Sequence, residues 1–170
     1  NEFTQFLSKI GHPDFNVKSF NYRSIKAENL DNFAQCIIDE TTDNPVFYEI
    51  YQDIKKVHPQ FQQALDEKLN DDYFKICDVQ KYMEFGLSIK HLYNQKMIDN
   101  TQIEKVLIKL LKNKSWVRIA TLYVEVYKRN IELDERNSVY HMDVVHLITV
   151  DKKPVDSELL KSCEKVLEDY

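Results

Sequence analysis

The chain has 170 residues, 43% of them hydrophobic and 12% aromatic, which is enough to bury a sizeable core in one domain or a domain with an arm and too much for disorder throughout. Two glycines and four prolines supply little material for β-turns, while Lys, Glu, Leu, Ile and Gln are plentiful, so an all-helical chain is expected. The formal net charge of −5 argues against a protein that grips a phosphate backbone, and no apolar run approaches the ~18 residues of a membrane span. A short aromatic helix is expected over Glu2 to Ile10, with Phe3, Phe6, Leu7 and Ile10 on one side and Gly11-His12-Pro13 as its stop. After an irregular stretch from Asp14 to Tyr22, Ser24 opens a helix whose apolar face carries Ala27, Leu30, Phe33, Ala34, Ile37 and Ile38. Asn44-Pro45 starts the next, because proline at the first helical position loses no hydrogen bond; Phe47, Ile50, Tyr51, Ile54 and Val57 form its stripe, and His58-Pro59 ends it. Phe61 to Leu69 is a weaker helical segment, and Asn70-Asp71-Asp72 is the expected boundary between a helical N-terminal extension, 1–70, and a core, 71–170.

The core opens on amphipathic helices joined by short turns. Asp78 caps a helix carrying Val79, Tyr82, Met83, Gly86, Ile89, Leu92 and Tyr93, and Asn94 to Asn100 supplies the turn. Thr101 and Glu104 form a capping box ahead of Ile103, Val106, Leu107, Leu110 and Leu111. Ser115 begins a third helix with Trp116, Ile119, Ala120, Tyr123 and Tyr127, where the small Ala120 suggests a close neighbour. Val139, Met142, Val145 and His146 recur at helical spacing, although the β-branched run from Val144 to Val150 also suits a strand. Lys152-Lys153-Pro154 breaks the segment, and Asp156 or Ser157 caps a last helix with Leu159, Leu160, Cys163 and Leu167. The hairpins recur at roughly thirty to forty residues, the range of helical repeat proteins. The expected architecture is all-α: a short right-handed stack of α-hairpins, a TPR-like superhelix, with an additional helical N-terminal extension.

The segment YMEFGLSIKHLYNQKMIDNTQIEKVLIKLLKNKSWVRIATLYVEVYKRN, from Tyr82 to Asn130, resembles the matrix-side accessory subunit of cytochrome c oxidase called Va in animals and VI in fungi. In that family a helix with Gly and Tyr seven apart leads into a turn containing a Met, and Gly86, Tyr93 and Met97 sit similarly here. The next helix begins with an Ile-acidic pair, like Ile103 and Glu104, and ends in basic residues and a polar turn. An aromatic residue opens the following helix, as Trp116 does, and Ile119 to Arg129 matches the small-and-aliphatic stretch that ends in an acidic residue and a basic tail. The resemblance covers Asp72 to Asp169 and rests on pattern and spacing. The chain departs from the family over Lys96 to Gln102, which lacks the prolines of the first inter-helix turn, and over residues 1–70, which have no counterpart in the family core.

His141 and His146 are five apart, not the three or four that puts two imidazoles on one helix face, so they read as structural or surface histidines. No Cys-x-x-Cys pair, glycine-rich phosphate loop or Gly-x-Ser-x-Gly elbow occurs. Cys36, Cys77 and Cys163 are widely spaced and odd in number, which suits reduced, buried thiols in cytosol or mitochondrial matrix. Asp66-Glu67, Asp71-Asp72 and Asp134-Glu135 read as helix-end carboxylates that cap amides or favour the dipole, and Lys112, Lys114, Lys128 and Arg129 as solvated helix C-termini. Ten tyrosines and nine phenylalanines are many for this size and either fill the core or serve a partner-binding surface. Trp116 is a core anchor or an interface hot spot; with Arg118, Tyr123 and Tyr127 on the same helix it forms the candidate partner interface.

The resemblance implies a non-catalytic accessory subunit of the respiratory-chain oxidase, complex IV, supporting assembly, stability and regulation through contacts with other oxidase subunits. It implies no haem, copper or zinc, no catalytic, cofactor-binding or metal-ligating residue, no small-molecule substrate and no nucleic acid. Placement would be peripheral on the matrix side of the mitochondrial inner membrane. The start at Asn1, with no initiator Met, reads equally as a processed mature protein or a trimmed chain, and any presequence would already be removed. The alternative is a helical-repeat, pentatricopeptide-like RNA-binding or adaptor protein, since Asn100 to Asp134 has the length of one such hairpin.

Overall fold

A computed structural model describes residues 1–75, 79–113, 118, 119 and 122, and every regular element among them is helical, as the composition requires. The helices are α1 (Glu2–Ser8), α2 (Leu30–Glu40), α3 (Val46–Val57), α4 (Phe61–Lys75), α5 (Val79–Asn94) and α6 (Asn100–Lys112), with short 3-10 turns at Val17–Ser19, Tyr22–Ser24 and Ala27–Asn29. The expected caps at Asp78 and Ser115, the close approach at Ala120 and the segments from 139 to 167 lie outside the described residues.

Asn1 starts α1 by accepting the Thr4 amide at 2.8 Å, and Gly11, with φ at +97°, turns the chain away beyond its end. Phe3, Phe6 and Leu7 are buried. Phe3 lies 4.6 Å from Phe33 of α2 and 5.3 Å from Phe20, between ring centroids, and Phe6 lies 5.0 Å from Phe15 and 5.2 Å from Phe20. These rings fix α1 and the segment after it onto α2, so at this end the aromatic residues fill the core. The helix expected from Ser24 begins instead at Leu30. From Tyr22 to Asn29 the backbone takes two tight turns, because Tyr22, Ile25 and Leu30 are all buried and their spacing does not fall on one helical face.

Asn44 Oδ1 accepts the Val46 amide at 3.1 Å, and Pro45, already helical in backbone at φ −59°, is the cap residue immediately before α3, where it gives up no hydrogen bond. His58 is extended, at φ −130° and ψ 90°, as a residue before proline must be, and ends the helix. Its Nε2 donates to the Ile25 carbonyl at 2.6 Å.

Helix α4 is the centre of the described fold, packing on α2, α3, α5 and α6. Phe61, Leu65 and Leu69 are at most 2% exposed and form a narrow row at a spacing of four. This helix runs without a break through Asn70 and Asp71, the position expected to divide the chain. Helix α2, which precedes that position, packs on α5, which follows it.

The turn after α5 is a left-handed C-cap. The Lys96 amide donates to Tyr93 O at 3.0 Å and the Met97 amide to Leu92 O at 2.9 Å, with Lys96 at φ +62°. Met97 and Leu92 are both essentially unexposed, the apolar contact that accompanies such caps. Helix α6 starts earlier than the Thr101-Glu104 capping box implies: Asp99 Oδ1 accepts the Gln102 amide at 3.2 Å, so Asp99 is the cap and Thr101 lies inside the helix. Phe85 is an addition to the buried face of α5, beside Gly86, Ile89 and Leu92.

Candidate functional site

Beside its apolar row, α4 carries a polar row at the same spacing of four: Gln62, Asp66 and Asn70. Facing it, α6 presents Gln102, Lys105 and Val106, and the space between is an open groove of about 560 Å³. The apolar row pulls α4 into the core, and the polar row is thereby held half-buried at its edge.

Gln62 joins three elements. Its Nε2 donates to the Met97 carbonyl in the α5–α6 turn and to Asp66 Oδ1, both at 3.0 Å, and its Oε1 accepts the Tyr51 hydroxyl of α3. Lys55 Nζ donates to the Tyr51 oxygen at 3.1 Å while lying 4.9 Å from the ring centroid. Burial raises the Tyr51 phenol above its ordinary pKa, partly offset by Lys55. Burial also raises the Asp66 carboxyl; the Gln62 hydrogen bond and the charges of Lys105 and Lys55 oppose the shift, and Asp99 adds to it.

The remaining polar groups of the groove differ in how they are satisfied. Gln63 Nε2 donates to Glu67 Oε1 at 2.9 Å, and Lys109 Nζ lies 3.7 Å from Asp71 Oδ1 at the far end. Asn70 Oδ1 is buried with no hydrogen-bond partner among the described residues. Below the groove lies an apolar hollow lined by Leu69, Ile89, Ile98, Ile103 and Leu122, with Asp66 and Gln102 at its rim.

A second polar junction secures the α2–α3 turn. Gln95 Nε2 donates to the carbonyls of Thr42 and Asn44 at 2.7 and 2.6 Å, and His91 Nδ1 lies 2.9 Å from Asp43 Oδ1. The C-terminal end of α5 thereby holds a loop more than forty residues earlier in the chain.

Of the expected interface residues, Arg118 is half-buried on a helical stretch, while Trp116, Tyr123 and Tyr127 lie outside the described residues, as do His141 and His146. The carboxylates are placed differently from the expectation. Asp66 and Glu67 sit in the middle of α4, where each accepts from a glutamine one turn earlier, and Asp71 lies in the last part of the helix, where the dipole disfavours it and Lys109 compensates. Lys112 is exposed in the last turn of α6, as expected of a solvated terminus; Lys114, Lys128 and Arg129 are outside the described residues, with Asp134 and Glu135. Apolar periodicity alone does not single out the polar row: 62, 66 and 70 each follow one position after 61, 65 and 69, and only that paired spacing in the sequence signals it.

Among the described residues no three His, Cys, Asp or Glu side chains are grouped to hold a metal ion, and no helix is long and apolar enough to cross a membrane. No protein-family model, no curated protein and no solved structure matches the chain.

Proposed function

We propose that this chain is a non-catalytic accessory subunit of mitochondrial cytochrome c oxidase, peripheral on the matrix side of the inner membrane, acting through contacts with other subunits of the complex. The reading rests on the resemblance over Asp72 to Asp169, and one observation supports it: those of the resembling residues that the structure describes fall on one helix–turn–helix segment, α5, the turn after it and α6. Gly86 and Tyr93 lie two turns apart on α5, Met97 is buried in the turn, and Ile103 is buried early in α6. The finer architecture of the proposal is a right-handed stack of α-hairpins. It is supported by the packing of α4 on both α2 and α6, the alternate helices that neighbouring hairpins bring together. Affinity purification of the tagged chain from gently solubilised mitochondria tests it. Recovery of the catalytic oxidase subunits with an a-type haem spectrum is expected, and their absence overturns the reading.

The same alternation of α2, α4 and α6 favours a second reading, a helical-repeat adaptor or RNA-binding protein. RNA binding that falls steeply with added salt would support it over the first.

A further inference from the structure

Residues 1–25 carry an aromatic cluster that packs largely on itself. Phe6 meets Phe3, Phe15, Phe20 and Tyr22, and Phe20 meets Phe3 and Tyr22, with ring centroids 5.0–6.4 Å apart. The Tyr22 hydroxyl, bonded to Val17 O at 2.7 Å, staples the same segment internally. Groups packed on one another in this way order together and are released together. The segment is joined to the helices behind it through side chains. Phe33 of α2 meets Phe3 and Phe20 at 4.6 and 6.1 Å, the Ile25 carbonyl accepts His58 at 2.6 Å, and Lys18 Nζ holds both carboxylate oxygens of Asp53 on α3. Helix α1 packs on α2, and the turns at Val17–Ser19 and Tyr22–Ser24 pack on α3, so the segment can lift while α4 keeps its own packing on α2, α3, α5 and α6.

These joints differ in what they require. Ring contacts are non-directional, but the Asp53 side chain is only 7% exposed and needs a cation in place; lifting the segment returns that carboxylate to water. Lys56 Nζ, at 3.6 Å, is too far to hydrogen-bond and eases this need without meeting it. We propose that residues 1–25 form a strap that opens and closes over α2 and α3 as one unit, latched by the Lys18–Asp53 ion pair. Opening uncovers Phe33 while α2 to α6 stay packed. The strap lies outside Asp72 to Asp169, so it holds whichever of the two functional readings is correct.

Native-state hydrogen exchange of the full chain at low denaturant tests it. The amides of Ile10, Ser19 and Ile25, each bonded within the strap, are expected to share one opening free energy and one denaturant slope, both smaller than those of Leu65 and Leu69 in α4. Lys18→Met is expected to speed exchange of the strap amides about tenfold, and adding Asp53→Leu to return it towards the parent rate. Ile103→Ala, which weakens the packing of α6, is expected to speed the α4 amides and leave the strap amides unchanged. Strap amides that follow Ile103→Ala as the α4 amides do would show that the segment opens only when the whole chain unfolds. Unequal slopes among the three would show independent fraying, and rates unmoved by Lys18→Met would remove the latch. Each of these results overturns the proposal.

Discussion

Lys18 holds both carboxylate oxygens of Asp53, at 2.7 and 2.8 Å, across 35 residues of sequence. The Asp53 side chain is 7% exposed and that of Lys18 is 64% exposed, so a buried anion on α3 is met by a cation that keeps most of its surface in water. Lys56 lies further off, at 3.6 Å. The pair ties the turn at Val17–Ser19 to α3, next to Tyr22, whose hydroxyl donates to Val17 O at 2.7 Å. That phenol is held well above its ordinary pKa by burial first, then by the charges of Asp53 and Glu49, and stays protonated as a donor.

Lys18→Met is expected to lower stability by about 1–3 kcal/mol, because Asp53 remains buried with a weaker partner. Adding Asp53→Leu is expected to restore most of the loss. Denaturant midpoints of the two variants check this; a double variant no more stable than the single would show that the stranded carboxylate is not the source of the cost.

Lys96 occupies the left-handed conformation that ends α5, where a side chain is strained and glycine is not. Lys96→Gly is expected to raise stability by about 0.5–1 kcal/mol, read as an increase in Tm with no change in the helical circular dichroism. A lower Tm would mean that the lysine side chain contributes more than its backbone strain costs.

Burial raises the Asp66 pKa above its ordinary 3.8, so between that value and the raised one the folded chain holds more protons than the unfolded chain. The contribution of Asp66 is therefore complete at low pH and is lost as pH rises through that window. Asp66→Asn keeps an acceptor for Gln62 and is expected to be more stable than the parent at neutral pH, with the difference vanishing in acid. Urea titrations across the acid range check the slope, and a variant less stable at neutral pH would contradict it.

Gln62 serves the Met97 carbonyl, the Asp66 carboxylate and the Tyr51 hydroxyl at once. Gln62→Met preserves the volume and removes all three bonds, and a loss of about 1–3 kcal/mol is expected, because the turn carbonyl then has no donor in its place. Faster hydrogen exchange at the α5–α6 turn is the local readout.

The helices were legible where apolar residues recur at three and four, as at Phe47, Ile50, Tyr51 and Ile54 of α3, all buried. Turn chemistry was legible at Asn44-Pro45 and His58-Pro59, where proline restricts the backbone whatever surrounds it. Two kinds of residue were not. Asp53 falls three after Ile50 on the buried side of α3, and its partner Lys18 is remote in sequence, so nothing local announces a paired burial. The Lys96 turn uses a residue with no special tendency for positive φ, and only the packing of Met97 against the end of α5 requires it. The candidate groove has the same character: its glutamines and carboxylates are ordinary surface residues until α6 is laid beside α4.

Helix α2 packs most extensively on α4, with α3 standing between them in the chain, and an order of folding events is expected from this arrangement. The two can meet only after the intervening segment has looped back, a closure whose entropic cost grows slowly with length, by about 0.6 kcal/mol per doubling. That loop is short enough for its closing to be fast, so the contact of α2 with α4 is expected to form the nucleus on which later helices settle. Truncating Ile37 or Leu65 to alanine is expected to slow refolding, whereas the same change at Met97 or Ile103 is expected chiefly to hasten unfolding. Stopped-flow chevrons separate the two effects, and the chain would then assemble from its middle outward.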